Sequence, residues 1–464
     1  MPGQRVRKIK KQEVEEKTKG LHDPELLTIL AYAPAGFGHI RVTDALFHGL
    51  PRGTRRPLLL GSHDPWLVHF HRFFSNHPLS RRLFEWSQYG WREDFFTVLY
   101  RSFLRAKTNV VYNQLLTILD QRVEAPKKVL IVATHFALAH QIGKIKARVE
   151  KEKSVKITLA VQVTDDSPQQ LWYVQEADMT FVPSKKTKEE LVNYGKHARL
   201  KDISVEVSPY PVSTILGRTG EGDYCEEKFE QLEPKGKERI HIIIPISGAA
   251  AGLEFLSSMI DELHQKSDRY YFHIVIKSSP QTSKFIHDME VKDCVDLHVS
   301  LSNRQAVNKY EEVYKSHLIA IEVTKPSEQA FKALLHPTQL GGAILLFAQP
   351  VGRQEYDNLD FLRRHELIPG KTDHAYLWNH AEKNLPMHNN EGREIRTKAG
   401  NWRGLELPEH PHQAAEFIHF CFKNEIFKRM MNCKVEIKEE THKEISPHGV
   451  KDLWERINEL LETV

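Results

Sequence analysis

The 464-residue chain has only four cysteines, Cys225, Cys294, Cys421 and Cys433, and none stands in a C-x-x-C pair. That spacing excludes a ribbon or finger zinc site and gives no small disulfide framework, so it points to a reducing compartment. The chain also lacks a run of ~20 apolar residues, so no segment reads as a membrane-spanning helix. Its first residues, rich in Lys and Arg with a few Glu, have no apolar h-region and do not read as a secretory signal. Together these predict a cytoplasmic protein with a solvated basic tail over residues 1–22. No charge sign dominates: the formal net charge is +4, too little to argue for a nucleic-acid partner. No internal repeat is evident. Charged residues at 27% and hydrophobic ones at 40% are the proportions of an ordinary soluble globular protein. The length exceeds one ordinary core and predicts two domains.

One further thing is missing. Leu26–Tyr32 reads as a strand, followed by Pro34-Ala35-Gly36-Phe37-Gly38-His39 and an apolar-periodic helix to about Leu50. The dinucleotide fingerprint requires G-x-G-x-x-G, and Arg41 occupies the third glycine position. A nicotinamide or flavin site is therefore excluded at this loop. What remains is a strand, a turn of small residues that lets backbone approach a ligand, and a histidine at a helix start.

Strand and helix patterns then alternate along most of the chain, which implies parallel sheets. Strands read over Val129–Ala133, Ile157–Val163 and Ala177–Val182, with His135, Thr164, Asp165 and Ser184 at or after their C-terminal ends. Open α/β sheets bind ligands at those ends. Residues 216–239, with Gly217, Gly220, Gly222 and a charged run, read as a linker. A second α/β pattern opens at His241–Ile246, followed by Ser247-Gly248-Ala249-Ala250-Ala251-Gly252 and a helix from Leu253.

The densest polar signal lies between Glu322 and Asn358. The apolar run Leu318–Ile321 gives way to Thr324-Lys325-Pro326-Ser327, and an amphipathic helix is predicted from Glu328, with Ser327 as its N-cap. After the apolar run Ala343–Ala348 comes a second cluster: Arg353, Gln354, Glu355 and Asn358. Two polar clusters after successive strands have the layout of a ligand crevice. Beyond Gly370 the pattern fades: 371–403 reads as polar and irregular, and 414–431 and 450–461 as terminal helices.

A separate stretch, Trp66–Lys107, holds twelve aromatic residues and seven Arg or Lys against three acids. This mixture suits a membrane-interface surface or an apolar acceptor groove, and equally the core of long helices.

The order and spacing of these motifs resemble a GT-B glycosyltransferase. The nearest group is that of the monogalactosyldiacylglycerol synthases, the processive diacylglycerol glucosyltransferases and the lipid-linked N-acetylglucosaminyltransferase of peptidoglycan synthesis. PAGFGH at 34–39, VTDDSPQQLWYVQEADMTFVPS at 163–184, ISGAAAG at 246–252, KPSEQAF at 325–331 and GRQEYDN at 352–358 carry the resemblance, which spans roughly residues 26–370.

The resemblance implies two Rossmann-like domains with parallel sheets facing across a cleft. An acceptor-side domain would cover 23–215, a nucleotide-sugar-binding domain 240–370, and an extension 371–464. It implies a metal-independent, inverting hexosyltransferase, with a nucleoside-diphosphate sugar, expected to be a UDP-sugar, as substrate and no cofactor. His39 would be the base, with Asp165 as alternative or helper, and Gly36, Phe37 and Gly38 would form the acceptor loop. Ser247, Gly248, Ala249, Gly252, Lys325, Pro326, Ser327, Glu328, Gln354, Glu355 and Asn358 would hold the donor. Glu328 would take the ribose hydroxyls, and no metal is implied. A lipid acceptor at the inner face of a membrane, touched through residues 66–107, is the expected partner. The alternatives are a nucleotide-sugar 2-epimerase of the same fold and a catalytically silent nucleotide-sugar-binding protein.

Overall fold

The computed structural model describes residues 19–33, 37–61, 91–246, 250, 252–347, 352–434 and 443–463, with backbone alone at 37 and 91. The chain divides into two compact units, one formed by 1–35, 39–213 and 448–464, the other by 36–38 and 214–447.

The first unit is built on a six-stranded parallel sheet in the order β2-β1-β3-β4-β5-β6. Its strands are β1 Leu26–Tyr32, β2 Leu58–Gly61, β3 Lys128–Ala133, β4 Lys156–Gln162, β5 Met179–Val182 and β6 Val205–Val207. β1, β3 and β4 are near-continuous apolar runs, buried over their interiors except for the half-buried Leu27 of β1, as strands covered on both faces require. The helix Phe136–Lys153 follows β3 and Lys185–His197 follows β5. Ser184 caps the latter by accepting from the Thr187 amide.

The second unit has its own six-stranded parallel sheet, ordered β12-β11-β10-β7-β8-β9. The strands are β7 Ile240–Pro245, β8 Tyr270–Lys277, β9 Val295–Ser300, β10 Ile321–Thr324, β11 Ala343–Leu346 and β12 Gly404–Glu406. In both sheets the strand order reverses once, between β1 and β3 and between β7 and β10. Both units are Rossmann-like, and these reversals are where such sheets open a crevice at the strand C-terminal ends.

The structure corrects several expectations. Residues 216–239 are not a free linker. They contain the helix Tyr224–Gln231, whose Lys228 is buried and donates to the carbonyls of Gln339 and Gly341. The stretch 371–403 is not irregular either. Lys371–Glu382 and Asn390–Lys398 are helices, and β12 follows them. Leu377, Ala381, Met387, Ile395, Ala399 and Trp402 are core, while Trp378 and Leu385 are exposed, and the buried set is spaced too sparsely to show a period. The helix Gly449–Thr463 belongs to the first unit, where Trp454 Nε1 donates to the Leu46 carbonyl at 3.1 Å.

Cys225 and Cys433 are joined by a disulfide, with Cα atoms 6.3 Å apart, while Cys294 and Cys421 are free and buried. The partners lie 208 residues apart, a pairing that local spacing cannot reveal. The bond runs against the reducing compartment expected from the cysteine spacing. Among the described residues no helix is long and apolar enough to cross a membrane.

Candidate functional site

In the second unit the polar clusters lie beyond the C-terminal ends of β10 and β11. β10 starts where its apolar run was expected to end and carries a glutamate inward: Glu322 is wholly buried. A charge there requires partners, and it has three neighbouring donors to draw on. Tyr310 and Tyr314 each donate to Oε2 at 2.7 Å. Lys332 forms a short ion pair with Oε1 and also donates to Gln329 Oε1 at 2.7 Å. This network clamps the segment after β10 to the strand.

The segment Glu328–Leu334 is consequently a 3-10 helix rather than the predicted amphipathic α-helix. Gln329 to Leu334 are buried on all sides, so there is no solvent face to give a 3.6-residue period. Ser327 makes no side-chain cap.

The two sequence clusters meet. Asn358, buried, donates from Nδ2 to the Pro326 carbonyl at 3.4 Å. Lys325 Nζ lies 3.8 Å from Glu355 Oε1. Phe331 packs on Phe361 with ring centres 5.1 Å apart. Gln354, Glu355 and Asn358 stand on the first turns of the helix Arg353–Arg364, not in a loop, and Gly352 ahead of it has φ 80°. Gln329 Nε2 donates to Glu328 Oε1 at 3.0 Å.

The third contribution comes from the loop after β7. Gly252 has φ 80°, and a Cβ there would come within 2.7 Å of Phe347, the residue after β11. Only glycine suits both conditions. Phe347 also stacks on Phe255, with centres 5.7 Å apart, which ties the start of the helix Leu253–Lys266 to the end of β11. Neither this helix nor Arg353–Arg364 has a side-chain cap at its N-terminus, whereas Ser302 and Asn389 cap helices elsewhere in the unit. Uncapped first turns present amide N–H groups and partial positive charge to an anion. Ser247, Gly248 and Ala249 lie outside the described residues.

In the first unit His39 sits at the switch point, in the first turn of the helix Phe37–His48. Its Nδ1 donates to the Thr134 carbonyl, past the end of β3, at 2.6 Å. Thr43 and Thr134 hydroxyls meet at 2.9 Å behind it, and His135 packs edge-on with centres 4.6 Å apart. Burial pushes the His39 pKa down to about 4, against a weaker upward pull from the Thr134 carbonyl. The ring is therefore neutral at pH 7 with its proton on Nδ1, which leaves the Nε2 lone pair to accept a proton. Thr164 Oγ1 lies 3.5 Å from His39 Nδ1 and donates to Asp165 Oδ2 at 3.4 Å. The structure thus brings His39, Thr134, Thr164 and Asp165 together.

The neighbouring Asp166 has a different task. It is buried and accepts from Ser184 and Thr187 at the start of the next helix. The sequence offered adjacent aspartates with no sign of which faced inward. Gly36 and residues 66–90 lie outside the described residues. Within 91–106, a helix, Phe95, Val98, Leu99 and Phe103 form one exposed apolar stripe, while Tyr100 and Leu104 are core.

No protein-family model and no curated protein match the sequence. Among solved structures the chain is similar to Staphylococcus aureus MnaA in a co-structure with UDP, at 10% identity and a TM-score of 0.47 over 95% of this chain and 97% of that one. It is also similar to Neisseria meningitidis UDP-GlcNAc 2-epimerase bound to UDP-GlcNAc, at 13% identity and a TM-score of 0.45 over 95% and 100%. Acinetobacter baumannii MurG is a third, at 10% identity and a TM-score of 0.44 over 95% and 100%.

Proposed function

We propose that the second unit binds a nucleoside-diphosphate sugar and that the protein is a GT-B glycosyltransferase transferring the sugar to a hydroxyl acceptor. The observation that carries this is the convergence beyond β10 and β11, where the KPSE and GRQEYDN segments are fixed on each other through Asn358, Pro326, Lys325 and Glu355. In this reading the uncapped helix starts at Leu253 and Arg353 face the diphosphate and take the place of a metal. Glu328 accepts the two ribose hydroxyls, and Gln354 and Glu355 orient the sugar. His39 is the base, with Asp165 beside it through Thr164. The exposed stripe Phe95, Val98, Leu99 and Phe103 supports a lipid acceptor, because it offers an apolar face on a helix that also carries Arg92, Arg101 and Arg105.

Calorimetry with UDP, GDP and ADP tests the donor site. One nucleoside diphosphate should bind, and Glu328→Ala should weaken it at least tenfold. If none of the three binds, the proposal is wrong. With the bound nucleotide identified, incubation with its sugar conjugates alone and then with diacylglycerol vesicles separates the chemistries. Product only in the presence of the acceptor supports transfer, and an epimer formed from donor alone means a 2-epimerase.

A further inference from the structure

Side chains alternate between the two faces of a strand. In the second unit the face bearing Ile240, Ile242 and Ile244 of β7 and Phe272, Ile274 and Ile276 of β8 forms the apolar core. The other face carries a different set at the same alternation: His241 on β7, His273 on β8, and Asp296 and His298 on β9. His273 and Asp296 are direct register partners. His317, the residue ending the helix Asn303–Ser316, comes over the same place. None of these residues belongs to the proposed nucleotide site, whose residues follow β7, β10 and β11.

The imidazoles are close. His241 Nδ1 and His273 Nε2 are 2.9 Å apart. The His273 ring centre lies 4.3 Å from that of His317, and the centres of His241 and His317 are 6.0 Å apart. One ligand nitrogen from each of the three falls within 4.8 Å of the others. Donor atoms of a tetrahedral zinc site with bonds of ~2.0–2.1 Å stand roughly 3.3 Å from one another, so modest side-chain rotation closes the set.

His273 supplies the second observation. It is wholly buried, and its Nδ1 has no hydrogen-bond partner, with the Asp296 carboxylate 3.5 Å away. A neutral imidazole that ligates through Nε2 must keep its proton on Nδ1, and such rings are held by a carboxylate on that side. The same oxygen of Asp296 lies 3.3 Å from His298 Nε2.

We propose that His241, His273 and His317 form a binding site for one zinc-class divalent cation, with Asp296 orienting His273. Three neutral imidazoles suit zinc, cobalt(II) or copper(II) and do not suit calcium or magnesium, which take oxygen ligands. The ion ties β7 and β8 to the end of the Asn303–Ser316 helix.

The test uses the full chain without a histidine tag, stripped with a chelator and titrated with zinc against a chromophoric indicator. Cobalt(II) serves in parallel as a spectroscopic probe. One equivalent should bind, with cobalt giving the visible absorption of a four-coordinate site made of three imidazole nitrogens and a water. His317→Ala and His241→Ala should each weaken binding at least tenfold. Asp296→Asn, which keeps every ligand, should weaken it by about 10–100-fold. The exposed His412→Ala should change nothing. Failure to bind one equivalent overturns the proposal, as does an equivalent that survives both His317→Ala and His241→Ala. A cobalt spectrum unchanged in those variants does so too. Circular dichroism of each stripped variant separates lost ligation from lost folding.

Discussion

His39 shows how a single contact sets a residue's chemistry. Its Nδ1 is committed to a backbone carbonyl, so the ring can act only through Nε2, and burial lowers its pKa to about 4. If it is the base, kcat/KM should stay level from pH 7 to about 5 and fall only as the pH approaches 4, not near 6.5. His39→Ala should reduce turnover by about 100-fold or more and leave nucleoside-diphosphate affinity unchanged in calorimetry. Full activity in that variant removes His39 from the mechanism. The same shift bears on stability. The folded pKa lies below the unfolded one, so this contribution is complete above about 6.5 and lost as the pH falls towards 4. The profile therefore needs a folding control at each pH. That His39 would stand at a strand–turn–helix junction was legible from PAGFGH. Its carbonyl partner, 95 residues away in the chain, was not, because the sheet order brings β3 beside β1.

At the scale of elements, the segment after β10 shows where pattern reading succeeds and where it stops. The break at Thr324–Ser327 and the polar cluster at 352–358 were both visible, because Pro, Gly and runs of hydrogen-bonding side chains punctuate apolar strands. The type of helix was not visible. Apolar residues at 330, 331, 334 and 335 fit an amphipathic period, but the segment is buried all round and held by Lys332 to Glu322. A glutamate inside the strand Ile321–Thr324 was the one sign of that clamp. Lys332→Met should strand the Glu322 carboxylate in the core and cost about 3–5 kcal/mol, read as a lowered urea midpoint. Because the clamp sets the Pro326–Glu328 turn, nucleotide affinity should fall with it. Glu322→Gln combined with Lys332→Met should recover most of the stability, since no unpaired charge then remains. If Lys332→Met alone leaves stability unchanged, the clamp contributes nothing. The glycine at 252 was legible as a loop residue, but its dependence on Phe347 required the packing of β11.

At the scale of the whole molecule, the chain does not fill its two units in sequence order. Alternating strands and helices announced two α/β units, and 414–431 was legible as a helix, but nothing in the pattern showed that 371–430 completes the second core: the buried apolar residues of 371–403 are scattered among charged ones, and the partners of Phe417, Phe420 and Phe427 lie far away in the chain. The return of the last helix to the first unit has a physical reason. Gly449–Thr463 is strongly amphipathic, with Val450, Leu453, Trp454, Ile457 and Leu461 buried along one face. Its buried polar groups are satisfied within the first unit: Trp454 Nε1 donates to the Leu46 carbonyl and Asn458 Oδ1 accepts from the Leu21 amide at 3.1 Å. Removing residues 448–464 therefore exposes an apolar strip on the first unit and orphans two backbone groups, while the second unit loses nothing from its core. The truncated chain should unfold in two steps, with the first unit melting earlier and the second near its original temperature. Limited proteolysis should then leave a resistant fragment corresponding to about residues 214–447, identifiable by mass. A single unshifted transition in the truncated protein would mean that the terminal helix contributes nothing to the first unit.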